Sequence, residues 1–271
     1  MTAGTALFVF AHQDDEFGVY ATIAAAVRAG ERVLCVYVTD GVLGGAPARR
    51  DRESLDVLAR LGVAAANVQF LGVVHGIGDG RLYERLPTVG AQLERILDAL
   101  PANTRVFVPA WEGGHHDHDA LHAVVVTLLA ARGRLAHARQ FSLYNAAGCP
   151  GPFFRVLAPL PANGPVERTR LPLGERLRQL RHCLRYPSQR TTWLGLYPFV
   201  LWHMLWRGCQ SLQPVDPARL EQRPHAGRLY YEKRGFLGHD VMQRSLAAWR
   251  ATLPSPALTG TKAAGDGGTG G

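Results

Sequence analysis

Through the first 145 residues, short apolar runs rich in β-formers alternate with helix-length segments, and this alternation restricts the chain to few folds. ALFVF (6–10) precedes GVYATIAAAVRAG (18–30), which Gly30 is placed to stop. RVLCVYVTDG (32–41) precedes the helix RRDRESLDVLARLGV (49–63), with Leu55, Leu58 and Leu61 at helical spacing, and then the strand NVQFLGVV (67–74). The helix TVGAQLERILDAL (88–100) leads to the strand TRVFVPA (104–110), and DALHAVVVTLLAARG (119–133) leads to a fifth strand, ARQFSLYN (138–145). Such alternation predicts an α/β fold: a Rossmann-like, mostly parallel sheet with helices on both faces and right-handed crossovers. From Pro150 the rhythm is lost, and proline, arginine and tryptophan become frequent. The expected organisation is one domain over 1–254, with a core over 5–145 and an Arg/Trp-rich subregion over 150–254. The small, polar, glycine-rich tail 255–271 is expected to be disordered.

In open α/β sheets, ligands bind beyond the carboxyl ends of the strands. Two polar clusters fall at such ends. AHQDDE (11–16) follows the first strand, and EGGHHDHDALH (112–122) follows the fourth, with Gly113 and Gly114 able to turn the backbone sharply. If the two strands end on the same sheet edge, His12 and an aspartate can meet one of His115, His116 or His118. That donor set suits a catalytic zinc site, which commonly takes three His or carboxylate ligands and keeps one position open. A neighbouring carboxylate would then be free to act as a base, and a second histidine to stabilise an oxyanion. Spacing alone does not assign these roles. No glycine-rich phosphate loop, G-x-S-x-G elbow or H-E-x-x-H helix is present.

These residues resemble the LmbE/PIG-L family of zinc-dependent N-acetylglucosamine deacetylases. Ala11, His12, Asp14, Asp15 and Glu16 match its AH-P-DDE motif, with Gln13 in place of proline, and His115, Asp117 and His118 match its H-x-D-H motif. An R-x-x-E helix (Arg50, Glu53), the FLG turn, DGRL (79–82) and YPSQ (186–189) agree with the family pattern. The resemblance implies His12, Asp15 and His118 as ligands of one Zn2+ per chain, with another divalent metal as an alternative. It implies Asp14 as general base, His115 as oxyanion stabiliser, and Asp117 as the group orienting His115 through a hydrogen bond. Glu16 would support the turn, Gln13 would change its rigidity more than its chemistry, and His116 and His122 would be structural. Arg50 and Asp79 are candidate substrate contacts, although Arg50 could instead be an exposed helical arginine paired with Glu53. The implied function is removal of the N-acetyl group from an amino sugar, an N-acetylglucosamine unit of a larger glycoconjugate. The alternative from another class is a non-catalytic sugar or sugar-nucleotide binding protein on the same fold.

Net charge is +8, and seven arginines fall between Arg168 and Arg190. Without interleaved aromatics or a nucleic-acid motif, this does not point to nucleic acid. In LGERLRQLRHCLRY (173–186), Leu177, Leu180 and Leu184 form one helical stripe beside Arg178, Arg181 and Arg185. Either the leucines pack inward below a solvated basic face, or the arginines meet phosphates of a sugar nucleotide or a membrane. TTWLGLYPFVLWHMLW (191–206) is uncharged and short for a bilayer span. It reads as a buried helical hairpin or, with its neighbour, as a peripheral membrane contact through 176–207. The four cysteines form no C-x-x-C pair, and no segment has a signal-peptide layout. A reducing, cytoplasmic setting is expected, with the inner membrane face as the alternative. Oligomeric state is not legible.

Overall fold

The computed structural model describes residues 4–42 and 46–254, so the expectation for 255–271 lies outside the described residues. Five strands come from the first half: β1 (Thr5–Phe10), β2 (Arg32–Tyr37), β3 (Val68–Phe70), β4 (Arg105–Pro109) and β5 (Ala138–Phe141). A small hairpin pairs β6 (Tyr144–Asn145) with β7 (Arg155–Val156), and β8 (Glu167–Arg170) and β9 (Cys209–Pro214) follow. The helices are α1 (Tyr20–Arg28), α2 (Pro47–Arg60), α3 (Gly72–His75), α4 (Leu86–Asp98), α5 (His116–Ala131), α6 (Leu173–Cys183), α7 (Arg190–Trp206), α8 (Tyr230–Lys233) and α9 (His239–Arg250). The main sheet runs β3-β2-β1-β4-β5-β9-β8; pairings from β3 to β5 are parallel, and β9 and β8 are added antiparallel.

Alternation along the strands sorts the core into two layers. Leu7, Val9, Leu34, Val36, Val106 and Val108 face the aliphatic layer under α4, α5 and α9. Phe8, Phe10, Cys35, Tyr37 and Phe107 face an aromatic layer under α1, α2, α6 and α7. There Phe8 stacks on Phe107 with ring centroids 4.6 Å apart. Because β1 pairs with both β2 and β4, its exit lies at the centre of the sheet, where the strand order reverses. The carboxyl ends of β1 and β4 therefore share one edge, and the two polar clusters meet there.

Several boundaries differ from expectation. The strand expected over 67–74 stops at Phe70, because α3 begins at Gly72, packed against the 39–40 backbone. The segment 138–145 divides between the main sheet and the hairpin. The helix expected from 119 begins at His116, which puts Asp117 and His118 in its first turn. After residue 150 the chain still supplies two strands of the main sheet and the α9 layer. In α6 only Leu180 of the leucine stripe is buried, alongside Gln179, His182 and Cys183, whereas Leu177 and Leu184 are exposed. Helix α7 is not a buried hairpin. Trp193, Leu196, Val200 and Met204 pack inward, while Leu194, Trp202, Leu205 and Trp206 face out.

Gly114 shows how tightly the β4 exit is held against the hairpin. A Cβ there would lie 2.0 Å from the Tyr144 carbonyl oxygen, a backbone atom that cannot step aside. At Gly174, within α6, a Cβ meets nothing within 4 Å. Gly114→Ala is expected to lower stability by about 2 kcal/mol or more. Gly174→Ala should raise it by up to about 1 kcal/mol through helix propensity. Urea unfolding of the two variants beside wild type checks both signs.

Candidate active site

The turn after β1 is built by its own carboxylates. Asp15 Oδ2 accepts the main-chain N–H groups of Ala11 and His12 at 3.0 and 2.8 Å. Asp14 takes a left-handed conformation, φ 107°, which is costly for a residue with a Cβ. Glu16, fully buried, stabilises it by accepting the Asp14 N–H at 2.8 Å and the Tyr37 hydroxyl. The supporting part expected of Glu16 thus has a defined target, the strained peptide. Adjacent aspartates consequently point apart: Asp15 turns inward, and Asp14 turns toward Arg50.

The second cluster arrives on the first turn of α5. His12 Nδ1 lies 3.2 Å from His118 Nε2, which in turn lies 3.0 Å from Asp15 Oδ1. The other face of His12 meets two carboxylates, with Nε2 3.0 Å from Asp79 and 3.1 Å from Asp117. Those acceptors hold a proton on Nε2, so Nδ1 is the nitrogen aimed at His118. Burial opposes charge on His12, yet Asp79, Asp117 and Asp15 outweigh it and raise its pKa well above the ordinary value. Asp15 and Asp79 are likewise held well below the carboxylate range by facing histidines, despite burial.

One donor atom each from His12, Asp15 and His118 lies within 4.8 Å of the others. A single proton cannot satisfy the facing ring nitrogens of His12 and His118 and the Asp15 carboxylate together. A divalent cation shared by the three satisfies them at once, and two imidazoles with one carboxylate are a donor set that zinc takes. The residues therefore fit the ion that the sequence implied.

Asp117 differs in detail from its implied part. Its carboxylate accepts from the Gly80 and Leu82 N–H groups at 2.7 and 3.1 Å and from His12, whereas its link to His115 runs through its own backbone N–H, 3.2 Å from His115 Nδ1. It fixes the DGRL loop and His12. His115 Nε2 points toward Asp79 at 4.0 Å, and its ring packs edge-on to His12, 4.6 Å between centroids. Burial, with the neighbouring His12, depresses the His115 pKa well below the ordinary value. His116 and His122 bond the carbonyls of Gly80 and Pro109, as structural histidines would.

Arg50 is buried and does not pair with Glu53, which engages Arg49 instead. Its guanidinium donates to the Gln13 carbonyl and, at 3.1 Å, to Asp14 Oδ1. The Gln189 carboxamide oxygen takes Arg50 Nη1 and Nε at 3.2 Å, while Glu53 takes the Ser188 N–H and hydroxyl. The R-x-x-E helix thus clamps the YPSQ segment that launches α7. Gln13 donates to Asp51 at 2.7 Å, a tether that proline could not make. Burial pushes Asp14 up to about 7; Arg50 opposes this, and Asp15 and Glu16 add to it.

These groups form the floor of a cavity of about 770 Å³. Its wall includes Tyr144, Phe154, Tyr230 and Phe236, which sequence reading did not select. Phe154 lies 5.0 Å from Tyr230 and 6.0 Å from Tyr144 between centroids, and Tyr144 meets His118 edge-on at 5.8 Å. Buried Glu112, also missed, fixes Tyr144 by accepting the N–H groups of Leu143 and Tyr144 at 2.6 and 3.0 Å. Its place beside the second cluster was visible, but nothing in one sequence marks a glutamate as buried.

The family model described as GlcNAc-PI de-N-acetylase matches residues 7–129. No curated protein matches the chain. Among solved structures, the zinc-inhibited form of the teicoplanin deacetylase Orf2 is similar at 18% identity and TM-score 0.60, covering 78% of this chain and 98% of its own. The A40926 pseudoaglycone deacetylase Dbv21 is similar at 19% identity and TM-score 0.58, covering 84% and 100%. The N,N'-diacetylchitobiose deacetylase from Pyrococcus horikoshii is similar at 19% identity and TM-score 0.55, covering 83% and 88%. These likenesses bear out the mostly parallel α/β fold. Residues 7–129, which carry both motifs at one sheet edge, are thus similar to the PIG-L (LmbE-like) family of de-N-acetylases.

Proposed function

We propose that this protein is a zinc-dependent hydrolase that removes the acetyl group from an N-acetylglucosamine unit of a larger glycoconjugate. The observation that carries this is the meeting of His12, Asp15 and His118 beside Asp14, a carboxylate that bonds to none of them and is held by Arg50, on the floor of a cavity large enough for a sugar and part of its aglycone. His12, Asp15 and His118 would hold one ion per chain. Bound there, the ion would supply Lewis acidity that polarises an amide carbonyl and lowers the pKa of water. Simple sugar binding needs no base beside such a centre.

Asp14 takes the proton from the attacking water as the new C–O bond forms. His115, its pKa lowered by burial, offers a ring N–H to the developing oxyanion. When the C–N bond breaks, the proton held on Asp14 passes to the leaving nitrogen, giving acetate and the free amine. Arg50 holds the Asp14 carboxylate in place, and Asp117 holds His12 and the loop that carries Asp79. Asp79 lines the cavity and would meet sugar hydroxyls, whereas Arg50, its nitrogens engaged by Gln13, Asp14 and Gln189, would act through Asp14. The aromatic wall suits an apolar aglycone.

Amine release from N-acetylglucosaminides with sugar and aryl aglycones tests the proposal. Asp14→Asn should retain metal and lose roughly 10²–10⁴-fold in kcat, as for loss of a general base. His12→Ala and His118→Ala should lose the metal. A metal-loaded wild type that binds these compounds but releases no amine would contradict the enzyme assignment. The pH profile gives a second check. Asp14 must be ionised to act; burial pushes its pKa up while Arg50 opposes this, so kcat/KM should fall on the acid side as Asp14 takes up its proton. Arg50→Met removes the opposing cation and should move this limb to higher pH. An acid limb unmoved by the substitution would remove Asp14 from the role.

A further inference from the structure

Helix α7 is apolar on every side, yet it lies at the surface. Leu194, Pro198, Trp202, Leu205 and Trp206 follow one outward stripe, with Leu194 80% and Trp206 76% exposed. Trp202 and Trp206 stack in parallel, 5.5 Å between centroids. Helix α6, packed against α7, adds exposed Leu173, Leu177 and Leu184 on a stripe of its own. A helix that is apolar all round is ordinarily buried, so this one requires a cover.

The charge around it identifies the cover. Residues 173–207 hold six arginines and one acid, Glu175, which already pairs with Arg178 at 2.8 Å. Arg181, Arg190 and Arg207 are exposed, and none forms an ion pair among the described residues. A second copy of this face would set arginines against arginines with no acid to meet them. The segment 255–271 offers Leu258 as its one large apolar residue, too little to cover the stripe. Tryptophan prefers headgroup depth, arginine pairs with phosphate, and an apolar stripe flanked by cations lies in the plane of an interface. Among the described residues no helix is long and apolar enough to cross a membrane. We infer that the α6–α7 face docks on the surface of an anionic phospholipid bilayer, with the α7 stripe in the headgroup layer.

Docking would bring the cavity to the lipid surface, because Thr191, Thr192, Gly195 and Leu196 of the same helix line it. That this cavity is a deacetylase site rests on the proposal above; docking itself is read without substrate. The full chain is floated with phosphatidylcholine vesicles and with phosphatidylglycerol–phosphatidylcholine vesicles, roughly 3:7. Wild type should float with the anionic vesicles only, less at high salt, with tryptophan emission moved to the blue. Trp202→Ser/Trp206→Ser and, separately, Arg181→Gln/Arg190→Gln/Arg207→Gln should each weaken binding at least about tenfold with unchanged circular dichroism. Wild type that stays in solution with anionic vesicles, or variants that bind like it, would overturn the inference. So would a wild-type dimer in sedimentation that the tryptophan variant converts to monomer. A failed deacetylase assignment would appear separately, as vesicle-bound protein that releases no amine.

Discussion

Asp15 is the hinge of the site, because its two carboxylate oxygens are committed to different parts of the fold. Oδ2 accepts the main-chain N–H groups where β1 ends, and Oδ1 reaches His118 on the first turn of α5. One side chain thereby joins the exits of two neighbouring parallel strands. It also turns the chain so that Asp14 must face the other way. Without that division of labour the adjacent aspartates would compete for the same space, and no carboxylate would be left for the proposed proton transfer.

The surrounding electrostatics sort these buried acids. Asp15 and Asp79 face imidazoles, which hold them well below the carboxylate range, while burial, with two like charges against one arginine, pushes Asp14 up to about 7. The adjacent carboxylates of Asp14 and Asp15 thus have different proton affinities, as the proposed roles of base and ligand require. The backbone contributes through the left-handed peptide at Asp14, which Glu16 and Tyr37 brace from below. Tyr37 lies in the aromatic layer of the core, so packing on that face of the sheet bears directly on the geometry of the turn.

Much of this was legible in the sequence, because strand alternation and helix spacing are local signals. They located β1, β2 and β4 and the edge where His12 and His118 meet. What they missed depends on long-range contacts. The destination of the Arg50 guanidinium depends on where α2 is laid across the turn, and Arg49, one residue away, took the Glu53 partner that Arg50 was offered. The aromatic wall comes from residues 144–236, whose rhythm carried no site signal. The leucines of α6 matched a packing stripe by spacing, but α6 meets its neighbours through Gln179, Leu180, His182 and Cys183. Periodicity describes a face; it does not say what covers that face.

The most direct test of the account is X-ray absorption at the zinc edge of the metal-reconstituted full chain. It predicts one ion with two imidazole nitrogens at about 2.0 Å and oxygen donors at about 2.0–2.2 Å completing the shell. His118→Ala should leave a single imidazole in any ion retained. A shell of three imidazoles, or one unchanged by loss of His118, would contradict the convergence of the two clusters on a single metal centre.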